Sequence, residues 1–182
     1  FCSLPGFFDL VVTDVPCSGE GMFRKDEEAQ AQWSEDNVAL CASRQRRILA
    51  DVWPSLAEGG MLIYSTCTFN RLENDGNVQW IMQELDAEAL YEGTESLYEG
   101  VIKTGLGFSL VPGFVKGEGQ YCSAVRKRGS VPASRKMKPA RIKSVALPER
   151  LKQCFSIDVV LKQRGETVIA VPASVNEDVE IL

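Results

Sequence analysis

The sequence predicts an α/β fold built on parallel strands, and three observations carry that prediction. Residues 7–15, FFDLVVTDV, form an almost continuous apolar run closed by an acid. Such a run is the pattern of a strand covered on both faces. From Asp36 onward, Val38, Cys41, Ile48, Leu49, Val52 and Leu56 recur at helical spacing. A second short apolar run, residues 61–65 (MLIYS), follows. Strand, helix and strand in that order imply a right-handed parallel crossover.

The remaining elements follow from local chemistry. Ser34 or Asp36 is placed to cap the first long helix. Pro54 shortens or kinks its end, and Gly59-Gly60 is expected to stop it. Val78, Ile81, Met82 and Leu85 mark a second helix over residues 74–85. Residues 86–107 read as irregular and Gly-rich. Residues 108–111 and 121–125 read as two strands, joined through Pro112-Gly113 and Gly117-Glu118-Gly119 in a hairpin-like connection. Residues 126–145 are basic and carry Ser and Pro, as a linker does. Beyond them, residues 147–155 suggest a short helix. Residues 157–161 and 167–171 suggest a β pair around Arg164-Gly165-Glu166. That last part is short for an independent domain.

Composition narrows the class. The 182 residues are 45% hydrophobic and 25% charged, ordinary proportions for a globular protein. No apolar run approaches the roughly 20 residues that span a bilayer. There is no His, which excludes serine–histidine and cysteine–histidine hydrolase schemes within this chain. The six Cys contain no CxxC pair, so no metal site is expected. Their irregular spacing suits reduced thiols in a cytoplasm better than a secreted disulfide framework. Net charge is −5, unevenly spread: residues 126–152 hold ten basic residues and one acid, Glu149. Such a strip on an acidic body is either a polyanion contact or a solvated linker.

Two cysteines stand apart from the rest. Cys17 lies just past the first strand, in Asp14-Val15-Pro16-Cys17-Ser18-Gly19. Cys67 lies just past the second, in Ser65-Thr66-Cys67-Thr68. Ligands of open α/β sheets bind outside the carboxyl ends of the strands. Two thiols and the Asp14 carboxylate are therefore expected at one rim, with Gly19 and Gly21 letting the loop approach a ligand. Asp14 has a plainer reading too, as a carboxylate capping nearby backbone donors. Cys41, Cys122 and Cys154 sit in apolar patterns and read as small buried hydrophobes.

DVPCSGEGMFRK together with STCTFN resembles the RsmF-like branch of the Sun-type RNA cytosine-5 methyltransferases. The first motif matches that family's Asp-x-Pro-Cys-Ser-Gly segment, the second its Thr-Cys segment, and their order and spacing fit as well. The resemblance implies a Rossmann-like methyltransferase fold, of which residues 1–127 would be the carboxyl-terminal half. A basic linker (128–145) and the start of a small α+β RNA-binding module (146–182), of a kind that is PUA-like in some members of the family, would follow. It further implies S-adenosylmethionine as methyl donor and RNA, ribosomal RNA above all, as substrate. Cys67 would be the nucleophile, Cys17 the thiol that assists release of the covalent adduct, and Asp14 a contact to target base and cofactor. Arg24 and Lys25 are candidates for RNA phosphate, or are merely solvated. Arg126, Lys127, Arg128, Arg135, Lys136 and Lys138 of the basic strip are further phosphate candidates. No aromatic residue interleaves with them, so base stacking is not expected there.

The departures shape the expectation equally. The family's glycine-rich cofactor loop, its ribose-holding acid and its upstream catalytic Lys have no counterpart in the sequence. The chain is therefore expected to be part of a longer enzyme and unable alone to hold S-adenosylmethionine. The rival expectation is a non-catalytic RNA-binding piece that uses the basic strip. A thiol redox protein with a reversible Cys17–Cys67 disulfide is a third, weakened by the lack of CxxC.

Overall fold

The computed structural model describes residues 4–90, 99–129 and 143–176. The chain divides into two compact units, residues 1–132 and 133–182. In the first, β1 (Phe8–Asp14) is followed by α1 (Glu27–Gln32) and α2 (Glu35–Val52). Then come β2 (Leu56–Thr66), α3 (Asp75–Glu84), β3 (Ala87–Ala89), β4 (Val101–Lys103), β5 (Phe108–Leu110) and β6 (Gln120–Lys127). The sheet runs β1-β2-β6-β5-β4, with β3 beside β6. β1 and β2 are parallel, and all other pairs are antiparallel. The mixed α/β architecture is consistent with a Rossmann-like methyltransferase fold.

Helix signals act where the sequence places them. Asp26 caps α1, accepting from the Glu28 and Ala29 amides. Ser34 caps α2, its Oγ accepting from the Asn37 amide at 3.1 Å. The end of α2 differs from expectation. Trp53-Pro54-Ser55 forms a 3-10 turn that closes the helix, and Gly59-Gly60 lies inside β2. Proline stops the helix earlier because it cannot donate to the ladder. The glycines instead serve the sheet: a Cβ on Gly60 would stand 3.0 Å from the Asp9 carbonyl oxygen. The pairing of β1 with β2 shifts register nearby, between Phe8 and Leu10.

The core lies between one face of the sheet and α2 and α3. Leu49, Trp53, Leu62, Tyr64, Val78, Ile81, Tyr121 and Val125 are among its buried members. The other face is open among the described residues. Leu10 and Val12 of β1 are 48% and 64% exposed, so the expectation of a strand covered on both faces fails. β1 is an edge strand, and the described helices pack on one side only. Residues 86–107, read as irregular, contain β3 and β4, each three residues long and too short to show a period. Asp75 at the start of α3 fixes the β4–β5 turn. It accepts from the Thr104 hydroxyl (2.7 Å), the Gly105 and Leu106 amides and the Tyr121 hydroxyl (2.8 Å). Burial pushes its carboxyl up, but these donors hold it below the usual range.

The second unit is an antiparallel sheet of β7 (Lys143–Val145), β8 (Val159–Arg164) and β9 (Thr167–Pro172), with the one-turn α4 (Glu149–Lys152) between β7 and β8. β7 occupies the end of the stretch read as linker. Leu161 and Val171 are its buried apolar residues, and the buried Lys162 side chain donates to Ser144 Oγ at 3.1 Å. Cys154, read as a buried hydrophobe, is exposed just past α4; Cys41 is buried and Cys122 half-buried.

Leu62 is fully buried on the covered sheet face, whereas Val12 is on the open one. Leu62→Ala should cost about 2–5 kcal/mol of unfolding free energy in urea titration. Val12→Ala should stay within about 0.5 kcal/mol of the unsubstituted chain.

Candidate active site

Parallel pairing puts the ends of β1 and β2 side by side. Asp14 is in register with Ser65, and the Val15 amide donates to the Ser65 carbonyl. Each chain then leaves the sheet at the same rim. Pro16 directs the first exit, and Gly19, at φ 76°, turns the loop back. The result is a contact: Cys17 Sγ and Cys67 Sγ lie 3.0 Å apart, both half-buried. Asp14 is exposed at the same rim and accepts from Ser65 Oγ at 3.0 Å. Among the described residues only one of its carboxylate oxygens accepts a hydrogen bond, which leaves the other for a donor from outside.

The thiols are electrostatically unequal. The Cys17 thiol donates to Cys67 and brings it down to about 7, against burial and the Asp14 carboxylate, which both push it up. The same contact, together with burial, pushes Cys17 up. The two titrate as a pair, and the first proton lost leaves the negative charge on Cys67. Arg24 and Lys25, the nearest basic residues in the first motif, are not among the causes. A thiol donor does the work for which a His would otherwise be the usual choice.

Several polar ties lock the two loops together. The Gly21 amide donates to the Cys67 carbonyl at 2.8 Å. Ser18 Oγ and Thr68 Oγ1 share a hydrogen bond at 3.0 Å. Glu20 accepts from the Phe69 amide (2.8 Å), Trp33 Nε1 (3.0 Å) and Asn70 Nδ2 (3.2 Å). Burial raises the Glu20 carboxyl, but these donors bring it below the ordinary value. Gly21 was expected to approach a ligand, yet it approaches protein: a Cβ there would stand 2.7 Å from the Gly119 oxygen and 2.9 Å from the Cys67 oxygen.

The basic candidates are scattered in role. Arg24 and Lys25 are exposed, and Lys25 pairs with Glu118 of the Gly117-Glu118-Gly119 turn. Arg126 pairs with Glu88 across the β3–β6 register (3.7 Å) and Arg128 with Asp86 (3.5 Å), all at the surface. Lys127 does not point outward as a phosphate contact would. Its Nζ donates to the carbonyls of Trp53 (3.1 Å) and Leu56 (2.9 Å), where the polypeptide leaves α2. Arg135, Lys136 and Lys138 lie outside the described residues.

Sequence reasoning missed Glu20, Asn70 and Glu73. A signal existed for two of them: Asn70-Arg71-Leu72-Glu73 has the spacing of a capping box, and the Glu73 amide does donate to Asn70 Oδ1 at 2.9 Å. Among the described residues, no three His, Cys, Asp or Glu side chains gather as a metal-holding group. For S-adenosylmethionine, the half-used Asp14 carboxylate offers one acceptor at the sheet rim, which fits a donor group of cofactor or base.

If Cys17 is what lowers Cys67, Cys17→Ala should move the midpoint of Cys67 alkylation by iodoacetamide upward, from about 7 toward the ordinary thiol value of about 8.5. Alkylation near neutral pH would slow accordingly, since only the thiolate reacts. A midpoint unchanged by the substitution would refute the hydrogen-bond account.

Residues 2–126 match the profile of the family described as 16S rRNA methyltransferase RsmB/F. Ribosomal RNA small subunit methyltransferase F of Pectobacterium atrosepticum is 38% identical over 133 residues, which cover 71% of this chain and 28% of that protein. The protein of the same name from Shewanella baltica is 38% identical over 128 residues, covering 69% and 26%. The chain thus spans little more than a quarter of the length of these curated relatives. Among solved structures, a methyltransferase homologue from Pyrococcus horikoshii superimposes with a TM-score of 0.53 at 26% identity, over 66% of this chain and 39% of that one. NSun6 from Pyrococcus horikoshii does so with a TM-score of 0.53 at 24% identity, over 65% and 30%. A profile that matches more than half of the chain, and that spans the loops bringing Cys17 and Cys67 together, makes this chain a member of the RsmB/F (Sun-type) family of RNA cytosine-5 methyltransferases.

Proposed function

We propose that this chain supplies the thiol-bearing half of an active site that methylates carbon 5 of cytosine in RNA. The observation that carries the reading is the 3.0 Å contact of two thiols beside a partly used carboxylate at the strand ends. Carbon 5 of cytosine is a weak nucleophile. Addition of the Cys67 thiolate to carbon 6 makes carbon 5 enamine-like, so that it attacks an electrophile. S-adenosylmethionine, when bound, supplies that electrophile as a methyl group. Loss of the carbon 5 proton to water at the open rim then restores the double bond as the carbon 6–sulfur bond breaks, and the bond's electron pair returns to Cys67.

The remaining residues divide the other tasks. Cys17 donates to the Cys67 thiolate before attack and assists breakdown of the adduct afterwards. Asp14 accepts from the amino group or ring proton of the base and orients the ring. A base within a helix must be unstacked to reach the rim. Arg24, with Arg135, Lys136 and Lys138, is proposed to follow phosphate. Ribosomal RNA is the proposed substrate, in line with the names of the curated relatives. The cofactor's remaining contacts are proposed to come from sequence outside this chain, in a cytoplasmic enzyme. A non-catalytic RNA-binding role would leave the paired thiols without a use.

The test is methyl transfer from S-adenosylmethionine to small-subunit ribosomal RNA by the full-length gene product. Cys67→Ala should abolish transfer. Cys17→Ala should leave a protein–RNA adduct that survives a denaturing gel. Turnover by the Cys67→Ala protein would overturn the assignment.

A further inference from the structure

We propose that Glu73 is a positioning residue that holds Cys17 and Cys67 in contact. The inference deepens the reading of the thiol pair given above and rests on it. Glu73 is fully buried, at 0% exposure. Its carboxylate accepts from the Ser18 amide (3.0 Å to Oε2, 3.3 Å to Oε1), Gln45 Nε2 (2.6 Å) and Asn70 Nδ2 (2.7 Å). No ion pair among the described residues includes it. A buried carboxylate answered only by neutral donors is a costly way to fill a core.

The donors explain what that cost obtains. Each comes from a different segment. Ser18 is the residue after Cys17, Asn70 belongs to the loop after Cys67, and Gln45 stands on α2. Gln45 Nε2 also reaches the Pro16 carbonyl at 3.0 Å, the residue before Cys17. The Cys17 backbone is thus held on both sides from one point. Glu73 itself cannot shift to follow a drifting loop. Its carbonyl accepts from the Tyr64 hydroxyl at 2.6 Å, and its amide is held by Asn70 Oδ1. An apolar side chain of equal volume would fill the space but could not hold either loop. The sulfur–sulfur contact of the catalytic thiols is by contrast a weak one, with no power to order two loops.

The test uses this chain without RNA or methyl donor, so it can fail while Cys67 remains the nucleophile. Diamide takes two electrons and two protons from the Cys17 and Cys67 thiols, becoming the hydrazine as the disulfide forms. The rate is followed by peptide mass spectrometry, with far-UV circular dichroism confirming that each variant is folded. Glu73→Gln preserves volume and removes one acceptor oxygen. It should slow formation of the Cys17–Cys67 disulfide on the order of tenfold, the scale of a sub-ångström misplacement. A loss of global stability alone would not change that rate in the folded protein. The alkylation midpoint of Cys67 should also rise, because Cys17 no longer donates in place. The sign is decisive: the Glu73 charge by itself pushes the Cys67 thiol up, so a purely electrostatic role predicts a fall. An unchanged disulfide rate, or a midpoint that stays or falls, overturns the proposal. Should Glu73→Gln not fold, Glu73→Asp keeps the charge and draws the carboxylate back from the Ser18 amide, Gln45 and Asn70. A slower rate there supports the proposal and an unchanged one overturns it.

Discussion

The parallel register of β1 and β2 is the constraint on which the site depends. With Asp14 opposite Ser65, both strands end at the same height, and whatever follows them is neighbourly by construction. An antiparallel arrangement of the same segments would send the two cysteines to opposite ends of the sheet. The short crossover through α2 enforces the parallel choice. The apolar stripe of that helix, with Leu49 and Val52, finds its cover on one sheet face alone. Packing in the core and geometry at the rim are therefore one decision, made where Leu62 and Tyr64 meet the helices.

The rim holds two thiols and a carboxylate in a sequence that has no histidine. One sulfur donates to the other, and the asymmetry between them comes from surroundings rather than from residue type. Backbone amides favour both thiolates, so the mutual contact sets most of the difference. The contact with Cys67 and burial both push Cys17 up, so it is the one that retains its proton. This division suits a pair in which one member adds to an electron-poor ring and the other must hold or pass a proton afterwards.

Much of this was legible in the residues. β1, β2, α2, α3 and the β5–β6 pair announce themselves as apolar runs or helical stripes. The motif loops announce the thiols. The misses have physical causes. Gly59-Gly60 looks like a helix stop, but Pro54 had already ended the helix. β3 and β4 are held by their neighbours rather than by any pattern of their own. Lys127 belongs by sequence to a basic strip, yet alternation along β6 places it beside Trp53 and the end of α2. Cys154 sits among apolar residues in a region whose short helix leaves it outside. Glu73 could be found as a capping residue, but burial among three separate donors is a property of the assembled loops and has no signature in one dimension.

The open face of the sheet has a practical side. Among the described residues β1 is the edge of its sheet, and Leu10 and Val12 on it are exposed. A strand of that kind welcomes another strand, whether from a further stretch of polypeptide or from a neighbouring molecule. Kept dilute, the isolated chain would have few encounters. At the concentrations used for crystals or spectroscopy, edge-to-edge self-association becomes the competing reaction, and a charged substitution at Val12 would be the simplest guard against it.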